Sequence, residues 1–293
     1  MNVLTSVRRR EDRGVISILE TVDVDSGIRI VMGEYDNLIE APNWTPDGKS
    51  LVYNSEGHIY IFDIETKVSK EIYSGIAVEC NNDHILSRDG KRIWVSHQTL
   101  EDGESRIYGF KVTGGEPTLV TPMAPSYLHG CSPDGEILAF CGERNGQYDI
   151  YTIPSIGGNE TQLTNLPGLD DGPEYSPCGK YIWFNSSRSG LMQVWRMEKD
   201  GSNATQMTFN ESNSWFPHVS PDGKRVAYIT YKKGDVDPCD HPANKNVEIR
   251  LMSKGNDEFK IVAKLFGGQG TFNVNSWSPD NKTIAFVSYR LKV

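Results

Sequence analysis

The chain lacks the marks by which several function classes are usually recognised. Its 293 residues include only five cysteines, an odd number with no C-x-x-C pair, which argues against a disulfide framework or a zinc knuckle. Thirty Lys and Arg stand against 39 Asp and Glu, a net charge of −9, so the clustered basic surface that phosphate backbones require is missing. The single basic run, Arg8-Arg9-Arg10, lies in residues 1–13, which read as a flexible solvated tail. No stretch approaches the roughly 20 apolar residues of a membrane helix, and no apolar h-region follows Met1. These absences point to a soluble protein with neither a nucleic-acid partner nor a membrane span. They place it in the cytoplasm, or in the periplasm if a leader was removed. No G-x-S-x-G elbow, H-E-x-x-H helix, Walker loop or dinucleotide fingerprint occurs, so the common hydrolase and nucleotide chemistries lose support.

What the chain has in abundance is one turn. Thr45-Pro46-Asp47-Gly48, Ser87-Arg88-Asp89-Gly90, Ser132-Pro133-Asp134-Gly135, Ser176-Pro177-Cys178-Gly179, Ser220-Pro221-Asp222-Gly223 and Ser278-Pro279-Asp280-Asn281 are six copies, starting 42, 45, 44, 44 and 58 residues apart. Pro presets φ at the first corner, Asp can bond its own backbone, and Gly accepts the positive φ that ends the turn. Each copy is followed by a short apolar run such as Tyr181-Ile182-Trp183-Phe184, then by a third strand such as Ile150-Tyr151-Thr152-Ile153. A fourth strand follows a glycine turn, as in Thr161-Gln162-Leu163-Thr164. A period in the forties with up to four strands predicts an all-β, six-bladed β-propeller of four-stranded antiparallel blades. Residues 14–293 form one domain in this reading. The last copy runs out after two strands, which would leave an open edge. Val15 to Asp23 and Ile28 to Val31 supply the missing pair and close the ring.

The repeated Ser-Pro-Asp-Gly-Lys turns, the Ile-Tyr third strand and the Leu-Thr or Met-Thr fourth strand resemble the six-bladed propeller of the TolB family. Tricorn-protease and prolyl-oligopeptidase propellers are more distantly similar. The likeness covers about Val15 to Val293 and concerns the propeller, since no additional N-terminal domain and no hydrolase domain is visible in the sequence. Oligogalacturonate lyase is a similar propeller with a metal in its central channel, although seven blades are typical of it. The resemblance implies a fold that serves as docking platform, peptidase gate or carbohydrate-enzyme scaffold.

In such a ring, the fourth-to-first and second-to-third connections share one face, the top, and the Ser-Pro-Asp-Gly turns occupy the bottom. Variable loops on a rigid scaffold are where function is usually placed. The starts of the first strands set an axial ring, Glu40, Asn82, Tyr127, Asp171, Trp215 and Asn273, expected to bind ligand. Two residues further on lie His84 and His129, with His218 one position later in its copy. These three histidines are candidate ligands for a divalent metal, with Asp171 nearby. The extra length in the fifth copy falls in Lys232 to Asn246, which carries His241 as a candidate base, with Asp237 or Asp240 to orient it. Arg144 and Arg188 in neighbouring top loops, with Trp215, would suit a sugar or peptide. Gln269 sits in Gly267-Gly268-Gln269-Gly270-Thr271, read as a flexible top loop. The leading expectation is a monomeric binding scaffold for a protein, peptide or glycan on the top face. The alternative is a metal-assisted lyase or hydrolase of acidic carbohydrate in the channel.

Overall fold

In the computed structural model, which describes residues 14–253 and 258–292, the repeated turns are built as their chemistry demands. Thr45 Oγ1 donates to Asp47 Oδ1 at 2.7 Å, the same Asp oxygen accepts from Lys49 N at 3.1 Å, and Gly48 closes the turn at φ 70°. Ser220 and Asp222 repeat the arrangement at 2.7 Å, and Asn281 takes the glycine position at φ 64°. In the fourth copy Cys178 replaces Asp, and Ser176 Oγ meets its Sγ at 3.4 Å.

Six antiparallel sheets result, and the chain builds the all-β six-bladed propeller. Blade one runs Glu40–Trp44, Ser50–Ser55, His58–Asp63 and Ser69–Ile72 from channel to rim. Blades two to five begin at the inner strands Cys80–Leu86, Ser126–Cys131, Asp170–Tyr175 and Asn213–Val219. Blade six joins the two ends of the chain: Val15–Asp23 pairs with Thr283–Leu291 along its whole length, and Arg29–Tyr35 forms the rim. The expected closure is therefore present. The tail expected at residues 1–13 lies outside the described residues.

The inner position of blade six is less regular than the repeat predicts. Residues 271–277 hold it through a single bridge, Trp277 to Ile284, and through Ala285 N donating to Ser276 O at 2.9 Å. Asn273 Oδ1 accepts from Gly270 N at 2.7 Å and Asn275 Oδ1 from Trp277 N at 3.1 Å, so side chains take backbone donors that a ladder would use.

The inner strands share one irregularity that decides where the channel side chains point. Each of the other five breaks register part-way: between Glu40 and Asn43, Cys80 and His84, Leu128 and Gly130, Asp171 and Glu174, and Trp215 and His218. In blades one, four and five the break contains a residue at positive φ, Ala41, Gly172 and Phe216, followed by a proline, Pro42, Pro173 and Pro217. A proline is tolerated because the inner strand is an edge, and a bulge there re-aims the side chains beside it. Large apolar side chains fill the interior, Trp94, Phe140, Phe184 and Phe286 among them, each nearly or wholly inaccessible.

Candidate functional site

The bulges turn a set of polar side chains into the upper part of the channel. His129 Nε2 lies 3.1 Å from Asp171 Oδ1, and Gly172 N donates to that same oxygen at 2.7 Å. His241 Nε2 stands 3.9 Å from Asp171 Oδ2, beyond hydrogen-bond reach but within Coulombic range. The long loop 232–246 therefore does cross the channel mouth. Its imidazole rests edge-on against Trp215 at 4.3 Å and Phe216 at 5.2 Å, while the His129 ring stacks on Phe216 at 5.6 Å.

On the other side of the chamber, Glu40 accepts from Asn54 Nδ2 at 3.2 Å and from Asn82 Nδ2 at 3.4 Å. Asp83, one residue from the expected ring position, is buried and is held by Asn81 Nδ2 at 2.9 Å. These charges act on one another. Burial works against a charged His129, but the carboxylates of Asp171 and Asp83 outweigh it and push the imidazole up to about 9. Burial would raise Asp171, yet the His129 charge and hydrogen bond, with His241 and the Gly172 N–H, keep it below the ordinary carboxylate range. Asp83 is pushed up to about 6, by burial first and then by Asp171 and Glu40, against the pull of His129. Burial also raises the Tyr127 phenol beside them. The chamber thus gathers Asp171 and Asp83 about the His129 imidazole, with Glu40 acting on Asp83 and a second imidazole on a loop above. Such a site suits hydrogen-bond donors and positive charge.

A model of the TolB beta propeller domain (PD40) matches residues 121–263. The uncharacterized protein Atu1656 of Agrobacterium fabrum is 43% identical over 274 residues, 93% of this chain and 92% of that one. The chain belongs to the TolB-like β-propeller family. A solved structure from Agrobacterium tumefaciens, of a protein proposed to be a TolB, superposes with a TM-score of 0.90 at 42% identity, covering 94% of this chain and 99% of that one. TolB from Acinetobacter baumannii shares the fold at a TM-score of 0.69 and 20% identity, over 87% of this chain and 65% of that one.

In this TolB-like propeller the remaining expected site residues fall into two groups. Glu40, Asn82, Tyr127, Asp171, His129, His241 and Asn273 converge on the chamber. The others are engaged elsewhere. Trp215 is wholly buried in the blade-five core, so it offers no face to a sugar. Arg144 clamps Glu160 through Nε and Nη2, both at 3.0 Å, and also donates to Pro125 O at 2.7 Å and Ser126 Oγ at 2.9 Å. Arg188 donates to Asp170 Oδ2 at 2.5 Å and Ser186 Oγ at 2.7 Å. Both guanidinium groups tie strands within their blades. Asp237 accepts from Cys239 N and Asp240 from His241 N, each at 2.8 Å, so these carboxylates shape their own loop while Asp171 faces the His241 ring. Gln269 N reaches Pro242 O at 3.4 Å, and Gly268 N donates to Thr271 Oγ1 at 3.0 Å, so the glycine segment braces the long loop.

The three histidines considered for a metal do not meet. His84 turns between blades, its Nε2 3.3 Å from Val52 O, and burial pushes it down to about 4. His218 sits between Glu174 Oε2 at 2.6 Å and Phe272 O at 3.2 Å. Among the described residues no three His, Cys, Asp or Glu are grouped as a metal ion would need. Nor is any helix among them long and apolar enough to cross a membrane. Sequence reasoning missed Asp83 and Glu174. Each stands one place off the expected register, at a bulge that only the neighbouring blade reveals.

Proposed function

We propose that the protein is a binding propeller that takes an extended segment of a partner protein across its top face, apolar side chains on the rim and a basic one over the chamber. One observation carries this reading. The top loops from rim to next inner strand each carry an exposed apolar residue in four successive blades: Ile76, Met123, Leu166 and Phe209, exposed by 60%, 48%, 53% and 69%. Scattered exposed apolar residues are ordinary, but one on the same loop of four successive blades, beside a polar centre, is the composition of a recognition surface. The carboxylates of Glu40, Asp83 and Asp171 give that centre its preference for Lys or Arg. Membership of the TolB-like family supports a protein-binding scaffold in general terms. A glycan has less support, because Trp215, Arg144 and Arg188 are occupied within the fold, and a metal-assisted lyase finds no grouped ligands among the described residues.

Selection of a phage-displayed library of random peptides, about twelve residues long, tests this proposal. Enriched peptides should combine apolar residues with Lys or Arg. The double variant L166D/F209D, altered only at exposed positions, should bind them at least about tenfold more weakly, since a buried large apolar side chain contributes roughly 1.5–3 kcal/mol. A library that yields no enriched sequence, or a double variant that binds as the parent does, would overturn the proposal.

A further inference from the structure

The opposite mouth of the channel has a different character. There the six Ser-Pro-Asp-Gly-type turns surround a cavity of about 420 Å³, within the size range of small-molecule sites. Its inner wall is the residue just before each turn, including Trp44, Tyr175, Val219 and Trp277. Its outer lip is the second residue of each turn, proline in five copies and Arg88 in blade two. Arg88 is exposed at the lip, the partly exposed rings of Trp44 and Tyr175 lie below it, and the polar side chains of Asn43, Glu174 and Asn275 lie deeper still.

Arg88 is the departure that matters. Proline presets the turn in the other copies, and giving it up forgoes that restraint. The side chain extends over the opening from blade two to blade four, where Nη1 donates to Pro177 O at 3.2 Å. No carboxylate among the described residues pairs with it. Neighbouring Asp89 accepts from Ser87 Oγ at 2.7 Å and Lys91 N at 3.0 Å. Glu174, deeper in the wall, is taken by His218 at 2.6 Å and by Val219 N and Asn275 Nδ2, both at 2.8 Å. A guanidinium has five donors in a planar fork. Most of them remain for an anion.

We propose that this bottom cavity binds a small carboxylic acid with an aromatic or short aliphatic body, the body against Trp44 and Tyr175 and the carboxylate on Arg88. The order of the layers favours a small acid over a peptide end. A chain terminus entering end-first would carry its carboxylate past Arg88 towards the like charge of Glu174.

Calorimetric titration with 3-phenylpropionate and its neutral amide, 3-phenylpropanamide, tests the assignment on the whole protein. The acid should bind at least about tenfold more tightly than the amide, the weight of a charge-assisted pair. Arg88→Pro restores the residue found in the other five copies, so the turn is retained, and it should abolish the preference. Equal binding of acid and amide, no heat from either up to about 5 mM, or an undiminished preference in Arg88→Pro would each overturn the proposal. So would tighter binding of a tetrapeptide with a free C-terminal phenylalanine, which would make a chain end the occupant. The outcome is independent of the top face, because Leu166 and Phe209 belong to loops on the other side.

Discussion

His129 is held charged by its neighbours, and that couples the chamber to pH. Its imidazole is raised from 6.5 to about 9 in the fold, by Asp171 and Asp83 acting against burial. A raised histidine gives stability that is fully present below its unfolded pKa and is lost as pH rises through the folded one. Asp83, raised to about 6, acts in the same direction between its ordinary value of 3.8 and about 6. His84 has the opposite sign: burial lowers it from 6.5 to about 4, so its contribution is lost as pH falls through that window. The His129 contribution should therefore decline between pH 6.5 and 9. Melting temperatures of the parent and His129→Gln, measured over that range, should converge as pH rises. A constant gap between the two curves would contradict the assignment.

At the scale of the strand, the positive-φ residue inside an inner-strand bulge is what aims Asp171. Gly172 has φ 62°, and a Cβ there would stand 2.5 Å from Asn185 Oδ1, the atom that accepts Phe216 N at 3.0 Å. Gly172→Ala would combine left-handed strain with a clash against a buried hydrogen bond. We expect a loss of about 2–4 kcal/mol in urea unfolding, and a change below about 0.5 kcal/mol would show that the bulge can relax. Strands and turns were legible because each copy carries its own local instructions: Ser or Thr, Asp and Gly make the turn, and the apolar run after it makes the next strand. The bulges were not legible. Glu40, Asp171 and Trp215 sit at matching places in the repeat, and the proline two residues later in each of those blades does not by itself fix where the register breaks. Asp83 enters the chamber while His84 turns between blades, where its Nε2 meets Val52 O of the neighbouring blade.

At the scale of the whole molecule, the ring is a latch joining distant parts of the chain. Val15 lies opposite Leu291 and Asp23 opposite Thr283, with Leu19 wholly buried between. Missing strands at the C-terminus were enough to foresee this closure. The site was only half visible, for a physical reason. Ring positions follow from the repeat, whereas the reach of His241 to Asp171 depends on a loop braced by Gln269 N on Pro242 O, and the burial of Trp215 depends on the blades around it. The two faces of the molecule differ: loops that change from blade to blade lie above, and a repeated turn geometry surrounds the cavity below. Hydrogen–deuterium exchange of the protein with and without a peptide from the top-face selection tests that division most directly. Protection should appear in residues 73–79, 120–125, 163–169 and 207–212 and in the 232–246 loop, with the Ser-Pro-Asp-Gly turns unchanged. Protection confined to those turns would place the partner on the bottom face and contradict the account.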